Sequence, residues 1–362
     1  MRKALALAER GRGTTSPNPM VGAIVVDTEG VIVGRGAHRV AGGPHAEVVA
    51  LEDAGSRARG ATLYCTLEPC SHTGRTGPCA PLVVLAGIRR AVIAMDDPNP
   101  LVNGRGLAYL GERGVEVAVG VERDAAVRQN AAFLTGILER RPYVILKVAL
   151  SVDGYVAAVP REETRLTGAA ANRRVHRQRA EVDAIAVGSG TVLTDDPQLT
   201  ARGAYRFRPL VRVIFDRRLR TPPSARVLST LSAGPVIIVC SDRSRSEAPE
   251  RAAALSAAGA RLLVPAQNDL LSACRALWEE GVTSMVLEGG PSLHRAALRA
   301  DIVDEVHVYV TPHRLGSGGV RWLDPGQLAW DTLPERRATW LRQDLLVEAQ
   351  LRSVRTHVHW HR

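Results

Sequence analysis

The sequence predicts an α/β protein built as two domains, and three observations carry that prediction. Short runs rich in β-branched residues alternate with runs whose apolar residues recur at helical spacing. The alternation pauses at Arg140-Arg141-Pro142 and restarts with the continuous apolar run YVILKVALS (143–151). A length of 362 residues is enough for two hydrophobic cores. The boundary is placed at Arg141, giving domains 1–141 and 142–362, each a sheet covered by helices.

In the first domain, MRKALALAERGRG reads as a helix with Leu5 and Ala8 on one face; Glu9 and Arg10 interrupt its superficial likeness to a signal peptide, and no small-residue cleavage site follows. VGAIVV (21–26) and VIVGRG (31–36) flank the hairpin signal Thr28-Glu29-Gly30. His45 to Ala54 has helical spacing, with Val48, Val49, Leu51 and Ala54 apolar. ATLYC (61–65) is a strand, and Leu82, Val83 and Leu85 belong to a helix that Pro81 can start and Gly87 can end. RAVIAM (90–95) is a strand followed by the turn DDPNP. A helix then spans Arg105 to Arg113, VEVAV (115–119) is a strand, and one helix runs from Arg123 to Leu138.

After the restart, strands are expected at 143–151, 183–189, 210–216, 235–240, 261–264, 283–288, 304–310 and 344–351. Helices are expected near 169–180, 252–258, 270–280 and 293–299. No apolar run reaches membrane-spanning length.

Five cysteines in so long a chain make no disulfide framework, which points to a reducing, cytoplasmic setting. Cys65, Cys240 and Cys274 sit in apolar runs and are expected in the core. The net charge of +10 suits an anionic ligand, while 4% aromatic content is too poor for stacking nucleic-acid bases. The charge comes almost wholly from arginine, with lysine only at Lys3 and Lys147. A basic surface can attract a small phosphorylated molecule; no nucleic-acid or membrane partner is expected, and a homo-oligomer is the expected assembly.

Two stretches carry chemistry. PHAEVVAL (44–51) puts His45 two residues before Glu47 at a helix start, and LEPCSHTGRTGPC (67–79) puts Cys70 and Cys79 in a Gly/Pro-rich loop. An imidazole and two thiolates are a zinc donor set that leaves a position open, and Glu47 stands within reach of that position as a non-ligand base. Such a centre supports hydrolytic loss of an amino group from a ring carbon, Glu47 carrying the proton to the departing ammonia. The pattern departs from the H-x-E…P-C-x-x-C deaminase signature, because the second cysteine comes nine residues after Cys70. His72, inside that longer loop, could be a fourth ligand or a substrate contact. A purely structural zinc module with Glu47 a bystander is the bland alternative. The tail histidines His357, His359 and His361 read as a frayed terminus.

TSPNPMVGAIVV (15–26), HAEVVAL (45–51), TLEPCSHTGRTGPC (66–79) and DDPNPLVNGRG (96–106) resemble the deaminase domain of the bifunctional riboflavin-biosynthesis deaminase/reductases. The long cysteine loop containing HTGRT separates that family from cytidine and tRNA-adenosine deaminases. The resemblance implies a cytidine-deaminase-like α/β/α domain whose substrate is 2,5-diamino-6-ribosylamino-4(3H)-pyrimidinone 5′-phosphate. It carries zinc ligation onto His45, Cys70 and Cys79 and proton transfer onto Glu47. Asn18, in the PNP loop, is either a substrate contact or an ordinary turn asparagine.

In the second domain Asp153-Gly154 makes a tight turn, VGSGTVLTDDPQLTAR (187–202) follows a strand, and Gly289-Gly290 joins a strand to a helix whose N-terminus suits an anion. No G-x-G-x-x-G fingerprint occurs. LKVALSVDG, AIAVGSGTVLTDDPQLTAR, VLEGGPSL and VDEVHVYVTP resemble the reductase domain of the same family. That likeness implies a dihydrofolate-reductase-like fold that uses NADPH to reduce the ribosyl side chain to ribityl. It places NADPH contacts on Ala149, Thr191, Asp195, Gly290, Pro291, Ser292, Leu293, His294 and Arg295. Substrate contacts fall on Arg179, Leu199, Arg202 and Glu288, with Arg179 and Arg202 suited to clamp a 5′-phosphate.

One segment departs: where the family reads G-x-S-x-W-I-T, this chain has REETRLTG (161–168), with Glu163 at the substrate-binding serine and Arg165 at the cofactor-contacting tryptophan. A deaminase with a degenerate or repurposed reductase domain is thus the second expectation, and a nucleic-acid-binding protein a distant third.

Overall fold

The computed structural model describes residues 1–71, 77–100, 102–324, 326–328, 333 and 336–352. Its contacts divide it between Glu139 and Arg140 into two units. The first contains α1 (Arg2–Ala8), β1 (Gly22–Val26), β2 (Ile32–Ala37), α2 (Ala46–Ala54), β3 (Thr62–Cys65), α3 (Cys79–Leu85), β4 (Arg90–Ile93), α4 (Arg105–Glu112), β5 (Glu116–Val119), α5 (Arg123–Gln129) and α6 (Ala131–Glu139).

Its sheet runs in the order β2-β1-β3-β4-β5; β1 is antiparallel to β2 and β3, and β3, β4 and β5 are parallel. The hairpin forms where expected, because the Asp27 carboxylate accepts the N–H groups of Glu29 (3.0 Å) and Val31 (2.9 Å), and Gly30 takes φ +82°. Glycines let helices lie directly on the strands. A Cβ at Gly22 would stand 2.0 Å from the Ala4 carbonyl oxygen, and one at Gly36 1.9 Å from that of Ala46. Gly36 pairs with Ala23, the neighbour of Gly22, so α1 and α2 cover opposite faces of the sheet. The core between includes Val25, Leu63, Cys65, Ile93 and Leu110, all fully buried.

Two expectations need correction. Pro81 does not start α3; it lies within the first turn of a helix that begins at Cys79, where the missing N–H is harmless. The single helix expected over 123–138 is two helices. Asn130 breaks it, and its side chain pairs with the backbone of Met20, accepting from N–H (2.7 Å) and donating to C=O (3.0 Å).

The second unit contains β6 (Tyr143–Ser151), β7 (Tyr155–Ala157), α7 (Ala169–Glu181), β8 (Ala184–Gly188), α8 (Ser189–Asp195), β9 (Val211–Phe215), β10 (Val236–Val239), α9 (Asp242–Glu247), α10 (Pro249–Ala257), β11 (Ala260–Leu263), α11 (Leu270–Glu279), β12 (Ser284–Leu287), α12 (Pro291–Arg299), β13 (Glu305–Thr311), β14 (Val320–Arg321), β15 (Arg337–Leu341) and β16 (Asp344–Gln350). Its main sheet has the order β11-β10-β9-β8-β12-β6-β13-β16-β15. It is parallel from β11 to β13 and antiparallel at β16 and β15. The central strands are buried on both faces, which is why they read as unbroken apolar runs. The sequence reading missed β15, whose residues Arg337, Ala338 and Trp340 are exposed on an edge strand, and the all-polar helix α9. No helix among the described residues is long and apolar enough to cross a membrane.

At the start of β6, Arg141 makes a bidentate pair with Asp304 (2.6 and 2.7 Å), and Asp304 also accepts the Val144 N–H (2.8 Å). Both side chains are buried, at 1% and 4% exposure, so removing one strands the other's charge. Arg141→Met is expected to destabilise the protein by about 3–5 kcal/mol, and Arg141→Met with Asp304→Leu to recover most of that loss, as read by urea denaturation.

Candidate active sites

The close packing of α2 on β2 sets the first site. His45 is the N-cap of α2, Cys70 follows β3 after the bend at Thr66–Leu67, and Cys79 opens α3. His45 Nδ1 lies 3.1 Å from Cys79 Sγ and 3.6 Å from Cys70 Sγ, and the three donor atoms are all within 4.8 Å of one another. Three elements thus deliver one ring nitrogen and two sulfurs to one point, and the two sulfurs with one imidazole could hold a zinc ion. The Cys79 thiol and His45 hydrogen-bond the Cys70 sulfur and push it down to about 4, while Cys79 itself, donating to it, is raised. His45 is raised by its bond to Cys70.

Glu47, in the first turn of α2, is 4% exposed and lines the same cavity, of about 380 Å³, as His45 and Cys70. Burial lifts its carboxyl to about 7. Asn18 does reach this cavity: its amide lies 3.2 Å from His38 Nε2, while His38 Nδ1 lies 3.0 Å from the Pro44 carbonyl. Nδ1 therefore donates and Nε2 accepts. The His38 ring packs edge-on against His45, with centroids 5.5 Å apart. His72 and the tail histidines lie outside the described residues. Cys65, Cys240 and Cys274 are buried, as expected.

Four further residues of this cavity were not singled out from the sequence: His38, Glu68, Asp97 and Asn99. DDPNP reads as a turn and, within DDPNPLVNGRG, as part of the family resemblance, with no role given to its individual residues. The signal that could have found it lay next door, in the two glycines of NGRG: Gly104 takes φ +80°, and a Cβ at Gly106 would stand 1.9 Å from the Pro69 carbonyl oxygen. Burial lifts Asp97 to about 7.

The second site lies at the C-terminal ends of β6, β8 and β12, where open α/β sheets bind ligands. Gly289, at φ +128°, brings the chain so close to α8 that a Cβ there would stand 3.1 Å from Thr191 Oγ1. Gly290 then caps α12, and Pro291 is its first residue. Ala149, on β6, is opposite Tyr309 of β13. The structure brings Arg179 and Glu288 together in a bidentate pair (2.8 Å twice), and Arg179 also donates to the Thr200 carbonyl (3.0 Å). Lys147, absent from the expected site, lies 3.8 Å from the same carboxylate. Burial alone would raise Glu288, but Arg179 and Lys147 hold it down to about 2.

The expected phosphate clamp changes accordingly. Arg179 is committed to Glu288, and of the two arginines Arg202 alone is exposed. The Leu199 side chain is buried in the core at φ +53°, which leaves its main chain to face a ligand. In the first turns of α12, Ser292 is exposed and Leu293 half-buried, and Arg295 donates to the Trp322 carbonyl (3.1 Å). His294 is fully buried, accepts from Trp322 Nε1 (3.1 Å), and is pushed down to about 3 by burial. Asp195 is exposed; partial burial and the charge of Glu163 raise it. Glu163 and Arg165 satisfy one another at the surface (3.3 Å).

Comparison with known proteins follows the same division. Residues 1–95 match the cytidine and deoxycytidylate deaminase zinc-binding region, and residues 142–345 match the RibD C-terminal domain. The chain is 41% identical over 318 residues to the riboflavin biosynthesis protein RibD of Aquifex aeolicus, covering 88% of this chain and 87% of that one. It is 40% identical over 332 residues to RibD of Escherichia coli, covering 88% of each. Its structure is similar to that of Acinetobacter baumannii RibD (TM-score 0.84, 35% identity, 96% of this chain and 97% of that one). It is also similar to that of a diaminohydroxyphosphoribosylaminopyrimidine deaminase/5-amino-6-(5-phosphoribosylamino)uracil reductase from Thermotoga maritima (TM-score 0.82, 33% identity, 97% of each).

Because Glu288 serves two buried cations, Glu288→Gln is expected to cost about 3–5 kcal/mol of stability in the second unit. Denaturation followed by fluorescence should show that loss, with ammonia release by the first unit unchanged.

Proposed function

The chain belongs to the RibD family of riboflavin-biosynthesis deaminase/reductases, and from that premise we propose which residues perform each reaction and on what substrate. The protein is a bifunctional enzyme, a zinc-dependent deaminase joined to a reductase whose family implies NADPH. The observation that carries the residue assignment is the convergence of His45, Cys70 and Cys79 beside a buried carboxylate in one cavity.

His45, Cys70 and Cys79 hold the zinc, which when bound supplies a Lewis acid that makes water reactive at neutral pH. Glu47 moves protons beside it: it removes one from the attacking water and returns it to the leaving amine, so that carbon–nitrogen cleavage releases ammonia and leaves a carbonyl. Asn18, His38, Asp97 and Asn99 supply the polar wall that orients the pyrimidinone ring. The substrate is 2,5-diamino-6-ribosylamino-4(3H)-pyrimidinone 5′-phosphate. In the second unit Ala149, Thr191, Asp195 and the Gly290–Arg295 turn would hold NADPH, which would supply a hydride to C1′ of the opened ribose, a proton from solvent completing the ribityl product. The inner cluster of Lys147, Glu288 and Arg179 faces the reacting end, and Arg202 offers an exposed guanidinium to the 5′-phosphate.

The Glu163–Arg165 pair at the surface leaves that inner cluster whole, which favours a working reductase over a degenerate one. We place the enzyme in the cytoplasm as a homo-oligomer, which light scattering after gel filtration tests.

Incubation with the diaminopyrimidinone phosphate, followed by mass spectrometry, tests the whole reading. Exchange of an amino group for oxygen is expected without NADPH, and a further gain of two hydrogens with it. Should the second change never occur, the deaminase-only reading replaces this one. Glu47→Gln should keep its zinc while ammonia release falls by about 10²–10⁴-fold; unchanged release would remove Glu47 from the mechanism.

A further inference from the structure

Glu68 has no role in the reactions just described, yet it is 3% exposed and carries the densest set of hydrogen bonds around the first cavity. Its Oε2 accepts the N–H groups of Asp97 (3.1 Å) and Gly104 (3.0 Å); its Oε1 accepts those of Gly106 (2.8 Å) and Leu107 (3.4 Å). Gly106 and Leu107 form the first turn of α4, whose own N-cap, Gly104, has no side chain to offer. The orphan donors of one helix are thus satisfied by a carboxylate 36 and more residues away, where the helix dipole favours a negative charge. Close packing reinforces the bond set, since the α-carbon of Gly106 lies against the Pro69 carbonyl.

The segment so held is one wall of the cavity. It carries Asp97, Asn99 and Val102, and the Asn99 N–H bonds the Asp97 carboxylate (2.9 Å). Glu68 itself is two residues before Cys70. We propose that Glu68 is a positioning residue that fixes the substrate-facing wall at a set distance from the metal ligands. It acts through Asp97 and Asn99, not through the metal. The proposal rests on the cavity being the deaminase site.

A glutamine at 68 would keep the shape but present an NH2 to two of the four donors. The 97–107 segment would then shift while His45, Cys70 and Cys79 keep their places. The test measures ammonia release from the diaminopyrimidinone phosphate by Glu68→Gln, Asn99→Ala and the double variant, with zinc content determined on each. Far-UV circular dichroism and zinc content report the folding of the first unit, and reduction of the pre-deaminated substrate reports that of the second.

Glu68→Gln is expected to retain its zinc and its reductase activity, to raise KM about 10- to 100-fold, and to change kcat less. The double variant should lose no more than the worse single variant, because both remove the same wall. Gly106→Ala, which drives the segment off Pro69 with the carboxylate intact, should give the same KM-weighted loss; it also decides the matter if Glu68→Gln does not fold. Loss of zinc in Glu68→Gln, an unchanged KM, or additive losses in the double variant would each overturn the proposal. If the wild-type protein binds zinc but releases no ammonia, the reading of the cavity fails and takes this inference with it.

Discussion

The Ala46 carbonyl oxygen occupies the space where a side chain at position 36 would begin. That single steric fact fixes how deeply α2 sits on its sheet, and with it where His45 and Glu47 stand. Gly34 repeats the contact one turn along, against the Ala50 carbonyl. Only two more inputs, the bend at Thr66–Leu67 and the start of α3, are then needed to bring three donor atoms together. A site that must hold an imidazole and two sulfurs within a few ångströms is built from rigid backbone contacts rather than from flexible side chains reaching inward.

The second unit solves a different problem, that of keeping charge inside a largely apolar sheet. Glu288 faces two cations and is fully ionised, while Asp304 faces one arginine and a backbone N–H. Arg212, wholly buried in β9, is held by carbonyl oxygens of Val227 and Gly234 and by the Thr230 hydroxyl. Buried ions of this kind are tolerated where most of their donors and acceptors are satisfied; of the Arg212 guanidinium, Nε alone has no partner. The Glu288 cluster differs from the other two by its place at the C-terminal strand ends, where a ligand can reach it.

Much of the fold and the first site could be read from residue order alone. Ligand chemistry restricts zinc to a few residue types, so HAE followed by EPC and a further cysteine announces itself within a short stretch. What escaped reading depends on partners far apart in the chain. Asn130 splits a helix because Met20 offers it a backbone pair, and nothing in the local pattern of residues 123–138 shows that. Arg179 reads from sequence as half of a phosphate clamp, and nothing local shows its pairing with Glu288, a partner 109 residues on. Lys147 did leave a trace: it is one of two lysines in an arginine-rich chain, and it sits inside an apolar strand.

The Asn130 amide has a wider consequence. It stitches the PNP segment to the start of α6, the helix that brings Phe133 to the mouth of the cavity. The match to the deaminase zinc-binding region ends at residue 95, before Asn130 and Phe133. The cavity is therefore lined by residues from both inside and beyond the matched zinc-binding region, and one carboxamide ties the two parts together. A chain ending at residue 95 would keep His45, Cys70 and Cys79 yet lack Asp97, Asn99, Val102 and Phe133 of the cavity lining.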